Sequence, residues 1–199
     1  MFDLPTDLPA ELVPLSWLLG VWEGSGVIEY EAEGARFTGE FAHRVSFSHD
    51  GGAYLNYSAN AWLIDGGTRT PLVSEVGFWR LSRPATAADP GPGLLPALER
   101  SVPRTADDVE ALRNAEGGFD IEVLVAHADG VSELYLGQVR GPRIDIATDY
   151  VVRTAGSKAY AAASRMYGLV DRHLLWAWDI AALGQELGSH ASARLARAD

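Results

Sequence analysis

The chain has 199 residues with a formal charge of −11, 47% hydrophobic and 22% charged residues, and no cysteine. This length and apolar content fit one globular domain, and the absence of thiols excludes disulfides, thiolate catalysis, Cys-ligated zinc and iron–sulfur clusters. The acidic balance opposes a nucleic-acid or anionic-membrane partner, because phosphate surfaces require a basic patch.

Met1 to Leu19 lacks a basic leader and a long apolar run, so the expected address is cytosolic. Within it, Leu8 to Leu19 is short and interrupted by proline. It reads as a turn or two of helix plugging a barrel end, with Leu12, Leu15, Leu18 and Leu19 inward and Gly20 as its stop. From Val21 onward, short segments rich in Val, Ile, Tyr, Phe and Trp recur between turn signals. The expected strands are 21–32, 36–48, 53–64, 72–83, 119–128, 132–140, 143–153, 158–169 and 174–182, followed by a closing segment to Arg197. Asp50-Gly-Gly52, Asp65-Gly-Gly67, Asp129-Gly130 and Gly141-Pro142 stand where tight turns belong. In Phe119–His127 and Arg143–Val152 apolar residues alternate with polar ones, as in a strand with one wet and one dry face. Many strands without βα alternation point to an all-β fold, an antiparallel barrel or sandwich.

Pro84 to Gly118 breaks this rhythm. It is rich in Pro, Ala and Gly, contains a capped helix candidate at Thr105–Arg113, and reads as an insertion within a single 1–199 domain, a surface excursion rather than a lid.

Gly20-Val-Trp-Glu-Gly-Ser-Gly26 fits a G-x-W-x-G-x-G pattern. Glycines let a strand bend and let another backbone approach closely, and Trp22 is large enough to close a barrel bottom. The motif therefore shapes a pocket and performs no chemistry. The five histidines compete for a chemical role. His43 stands mid-strand beside Arg44, free to face either way. His49 and His127 precede turn residues, and His173 follows Asp171-Arg172. His190 lies among small residues, Gly188-Ser-His-Ala-Ser, where a histidine is more often exposed than a ligand. No zinc helix, EF-hand loop, phosphate loop or nucleophile motif is present. Asp149, Asp179 and the Glu29, Glu31, Glu33 run read as solvated strand faces.

The glycine–tryptophan motif and the His190 segment resemble the two ends of the nitrobindins, a family of small haem-binding barrels. Phe47–Tyr57, Ser74–Arg80, Val123–Glu133 and Ala181–His190 are similar to successive hairpins and strands of that family, in the same order. The resemblance covers everything but 84–118 and the first residues. It implies a ten-stranded antiparallel up-and-down β-barrel of the nitrobindin and fatty-acid-binding-protein-like type, with haem b at its mouth. It also implies nitric oxide binding and isomerisation of peroxynitrite to nitrate in the ferric state, through Lewis-acid iron. On that likeness His190 is the iron ligand and catalytic group, and Lys158, the one lysine of the chain, contacts the haem. Gly20, Trp22, Gly24 and Gly26 form the pocket. Where the family has Tyr-Pro-Thr, with its threonine near the haem, this chain has Tyr30-Glu31-Ala32, so Ala32 takes the haem-side position. Ala191 replaces a leucine after the ligand, removing about 1–2 kcal/mol of local burial. The alternative is a non-haem carrier barrel for an apolar small molecule such as a fatty acid.

Overall fold

Leu12, Leu15 and Leu18 are spaced by three, the period of a 3-10 helix, on which residues three apart eclipse one another. In the computed structural model, which describes residues 7–32 and 35–198, a 3-10 helix runs over Ala10–Leu18. All three leucines are fully buried and Leu19 packs partly buried against them. The expected turn or two thus extends to about three turns, because the tighter helix keeps one face apolar for longer.

Ten strands follow: β1 (Gly20–Ala32), β2 (Ala35–Ser48), β3 (Leu55–Asp65), β4 (Thr68–Leu81), β5 (Phe119–His127), β6 (Val131–Arg140), β7 (Arg143–Arg153), β8 (Tyr160–Val170), β9 (His173–Ala182) and β10 (Gly188–Arg197). Each pairs antiparallel with its sequence neighbours, and β1 also pairs with β10, so the barrel closes; β7 and β8 pair only over Arg143–Ala147 and Ser164–Gly168, toward the end away from the β7–β8 turn. Gly20 begins β1 at φ +117°, a conformation that L side chains avoid. Further along β1, a Cβ at Gly24 would run into the Arg194 carbonyl of β10, and one at Gly26 into the Ser192 carbonyl and the Phe41 ring. The β1–β10 seam therefore closes only over glycine.

Three strand starts differ from those expected by more than one residue. β3 begins at Leu55 because Asp50 accepts hydrogen bonds from the Gly52 N–H (3.3 Å) and the Tyr54 hydroxyl (3.1 Å), fixing a turn. β4 begins at Thr68, ahead of Pro71, because a register shift opposite Ala61 and Trp62 accommodates the missing N–H. β8 begins at Tyr160, leaving Lys158 in the turn before it.

Inward residues build one core from Trp22, Phe47, Leu55, Trp79, Ile121, Tyr135 and Leu195, all nearly free of solvent. The 3-10 helix seals one end of it, where the Trp22 N–H donates to the Leu18 carbonyl at 2.7 Å. The 82–118 connection between β4 and β5 leaves from this same end. It carries α1 (Ala106–Glu110), shorter than the expected Thr105–Arg113 but with the Thr105–Asp108 capping box present. Val109 is buried, and Arg104 reaches Glu11 of the 3-10 helix at 3.2 Å. The 82–118 connection thus lies over the plug and away from the opposite end. Among the described residues no helix is long and apolar enough to cross a membrane.

Candidate functional site

The opposite end is formed by the end of β1, the start of β2 and the β3–β4, β5–β6, β7–β8 and β9–β10 turns. There the barrel is not filled. A cavity of about 270 Å3, partly open at the mouth, has apolar walls including Ile28, Leu72, Val73, Ile180 and Ala191.

His190 lines this cavity because β10 is irregular there. Strict alternation places Ala191, Ala193 and Leu195 inward and turns residue 190 outward. The β9–β10 register shifts between Ser189 and Ala191, and both His190 and Ala191 line the cavity, as a bulge permits. The ring stands edge-on to Trp178, with centroids 5.7 Å apart, and 6.1 Å from Tyr30. Burial lowers its pKa below the ordinary histidine value, the Glu29 carbonyl offsetting only part of this, so the imidazole is neutral at neutral pH. His190 Nδ1 and Trp178 Nε1 are both buried without a hydrogen-bond partner among the described residues, and both side chains line the cavity.

Lys158 stands exposed at the cavity rim, near Asp129. Its turn is pinned by Arg153, which donates to the Lys158 carbonyl at 3.0 Å, and by Ser157, which donates to the Asp129 carbonyl at 2.8 Å. Ala32 ends β1, and its side chain lies outside the described residues, as does Glu33 of the acidic run. Gly20, Trp22, Gly24 and Gly26, expected to form the pocket, are not among the cavity's lining residues; they form the β1–β10 seam and the sealed end instead.

The floor is a cluster of charge that the sequence reading missed. Glu75, Glu133 and Arg165 are each at most 4% exposed. Arg165 donates to both Glu75 oxygens (2.8 and 3.0 Å), to Glu133 (3.4 Å) and to the Tyr135 hydroxyl (3.0 Å). Tyr57 donates to Glu75 at 2.7 Å, while Tyr135 and Tyr160 donate to Glu133 at 2.7 and 2.6 Å. Burial alone would raise the Glu75 pKa, but the Arg165 guanidinium overcomes it and holds the carboxyl down at about 2. His127, expected at a strand-to-turn boundary, has its side chain turned into this cluster and only 6% exposed. His43 also faces inward. Trp176 donates its N–H to His43 Nδ1 at 3.0 Å, and burial pushes the His43 pKa down to about 4, so this imidazole is neutral. Alternation carried the signal for the floor: Glu75 is in phase with Val73 and Trp79, Glu133 with Val131 and Tyr135, Arg165 with Ala163 and Tyr167.

Among the described residues no group of three or more His, Asp or Glu side chains is arranged to hold a metal ion. A metal bound beside His190 has to bring most of its own ligands. A neutral imidazole with an unpartnered Nδ1 at a partly open apolar cavity fits a metal-bearing macrocycle on those terms.

The chain is similar along its whole length to proteins named peroxynitrite isomerase. It is 62% identical to that of Leifsonia xyli and 59% identical to that of Clavibacter michiganensis, each match covering 100% of both chains. It is 52% identical to that of Paenarthrobacter aurescens over 97% of this chain and 96% of the relative. The crystal structure of Rv2717c from M. tuberculosis has the same fold, with a TM-score of 0.69 at 24% identity over 99% of this chain and 100% of that one. Residues 11–197 match the family model described as "THAP4-like, heme-binding beta-barrel domain", and the chain belongs to that family, the nitrobindin type that its two ends resemble.

Proposed function

We propose that this protein binds haem b through His190 and, in its ferric state, isomerises peroxynitrite to nitrate, with nitric oxide as a further ligand. The observation that carries the reading is the β10 irregularity, which aligns a neutral imidazole without a partner at Nδ1 with an apolar cavity. The names of the full-length relatives supply the reaction. When bound, haem iron supplies Lewis acidity toward a peroxynitrite oxygen.

The chain's own residues do the rest. His190 ligates and orients. Ile28, Ile180 and Val73 exclude water from the ligand side, which strengthens electrostatic effects within the cavity. Lys158, on its pinned turn at the rim, would neutralise a propionate, and the family resemblance assigns the haem-side position to Ala32. At about 270 Å3 the cavity is small beside ligand sites of about 300–1,000 Å3, and its open mouth would leave room for part of a macrocycle outside it. We take residues 1–199 as one domain with 84–118 inserted at its sealed end, acting in the cytosol.

A carrier for fatty acids fits less well. The floor guanidinium, Arg165, is already spent on Glu75 and does not offer a carboxylate a free cation.

Hemin titration of the purified protein should give a Soret band of the histidine-ligated type and accelerate conversion of peroxynitrite to nitrate. His190→Ala should remove or displace that band and abolish the acceleration, while the fold is retained. Undiminished haem binding by His190→Ala, or a co-purifying lipid with no hemin uptake, would overturn the reading.

A further inference from the structure

His127 closes the floor of the cavity from β5, with charge facing it from every neighbouring strand. Its Nε2 lies 2.6 Å from Glu133 on β6 and its Nδ1 lies 3.6 Å from Glu75 on β4. Arg165 and Tyr160 face the same carboxylates from β8. A carboxylate only accepts hydrogen bonds, so Nε2 carries the proton it donates to Glu133, and the Glu75 charge 3.6 Å from Nδ1, beyond hydrogen-bond reach, favours a second proton there by Coulomb attraction. Two carboxylates then balance one guanidinium and one imidazolium, and the buried floor is neutral. Were the ring to lose a proton, the floor would carry a net negative charge with little water to screen it.

Trp178 on β9 joins this floor to the cavity. Its indole stacks on His127, with centroids 6.2 Å apart at 23°, and the Arg165 guanidinium lies 4.1 Å from its centroid. The same indole meets the edge of His190. Arg165 and His127 thus both pack on the indole against which His190 rests, the guanidinium as a cation–π contact.

We propose that His127, held as an imidazolium between Glu75 and Glu133, is a positioning residue for the haem site: through Trp178 it fixes the His190 ring, and its charge sets the field that the iron experiences. The inference rests on the haem reading above and deepens it by adding a proton-linked control of the same site. Although burial disfavours the charged ring, the Glu133 hydrogen bond and the Glu75 and Glu133 charges outweigh it, and the His127 pKa is raised. The sign follows. The stabilisation from this proton is complete below the unfolded histidine value of about 6.5 and is lost as the pH rises through the raised folded value. Because the deprotonated floor is negative and favours ferric over ferrous iron, the midpoint potential should fall across that same window.

The test has two arms. In the haem-free protein with 15N-labelled histidine, NMR should show both His127 ring nitrogens protonated at neutral pH and His43 singly protonated. In the hemin-loaded protein, spectroelectrochemistry over about pH 6 to 9 should show the midpoint falling with pH. His127→Gln should remove that slope and release hemin up to about tenfold faster. His127→Lys, which keeps a fixed cation, should be equally flat but remain at the low-pH value of the unaltered protein. A purely structural role would not separate these two variants. A singly protonated His127 at neutral pH, or a slope preserved in His127→Gln, would overturn this inference alone. Failure of the unaltered protein to take up hemin would overturn the haem reading and this inference with it.

Discussion

At the sealed end of the barrel Leu12, Leu15, Leu18 and Trp22 pack without solvent contact, and the indole N–H is satisfied by the Leu18 carbonyl. At the mouth end β10 is irregular, and His190 and Trp178, each with an unpartnered ring nitrogen among the described residues, line a cavity above a charged cluster. The difference separates stability from function on one scaffold. Apolar burial at the plug is roughly proportional to area and needs no fine geometry. The mouth instead spends regularity and desolvation to hold an imidazole in position, a cost carried by the packing below it.

The contrast makes the plug the place where truncation should cost most. Trp22→Ala should lower unfolding free energy by about 3–5 kcal/mol, measured by denaturant titration; a loss below about 1 kcal/mol would mean that the seal contributes little. Arg165→Met tests the floor, which lies between the two ends. Removing one side of a buried charge cluster should cost on the order of 3 kcal/mol or more at neutral pH. The gap from the unaltered protein should narrow in acid, because the depressed Glu75 contributes above its ordinary value of 4.5 and loses that contribution as the pH falls toward about 2. If Arg165→Met unfolds at the same denaturant concentration as the unaltered protein, the cluster is not a stabilising unit. The smallest effect belongs to the exposed rim. Lys158→Ala should weaken hemin binding by no more than about 1 kcal/mol, less at high salt, with unchanged denaturant stability. A loss of fold in Lys158→Ala would erase the division between the two ends.

Much of the barrel was legible because alternation and turn chemistry are local. Asp129-Gly130 and Gly141-Pro142 mark hairpins whether or not their partners are known, and Phe119–His127 shows its dry face by period alone. The same alternation carried the inward positions of Glu75, Glu133 and Arg165, which the sequence reading missed. Their partnership had no such local signal. Arg165 lies 90 residues from Glu75 and 32 from Glu133, and only closure of the barrel brings the three together. The β4 start was missed for a related reason: Pro71 reads as a strand breaker until the register shift opposite it is known.

The sequence alone determined the strands, their turns, the leucine plug and the glycine seam, since each follows from a period, a proline or a missing Cβ. The tertiary structure decided that residues 190 and 191 both line the cavity and that four separated charges and tyrosines share one floor. Both outcomes depend on the register between strands, and register is a property of neighbours that no single segment encodes.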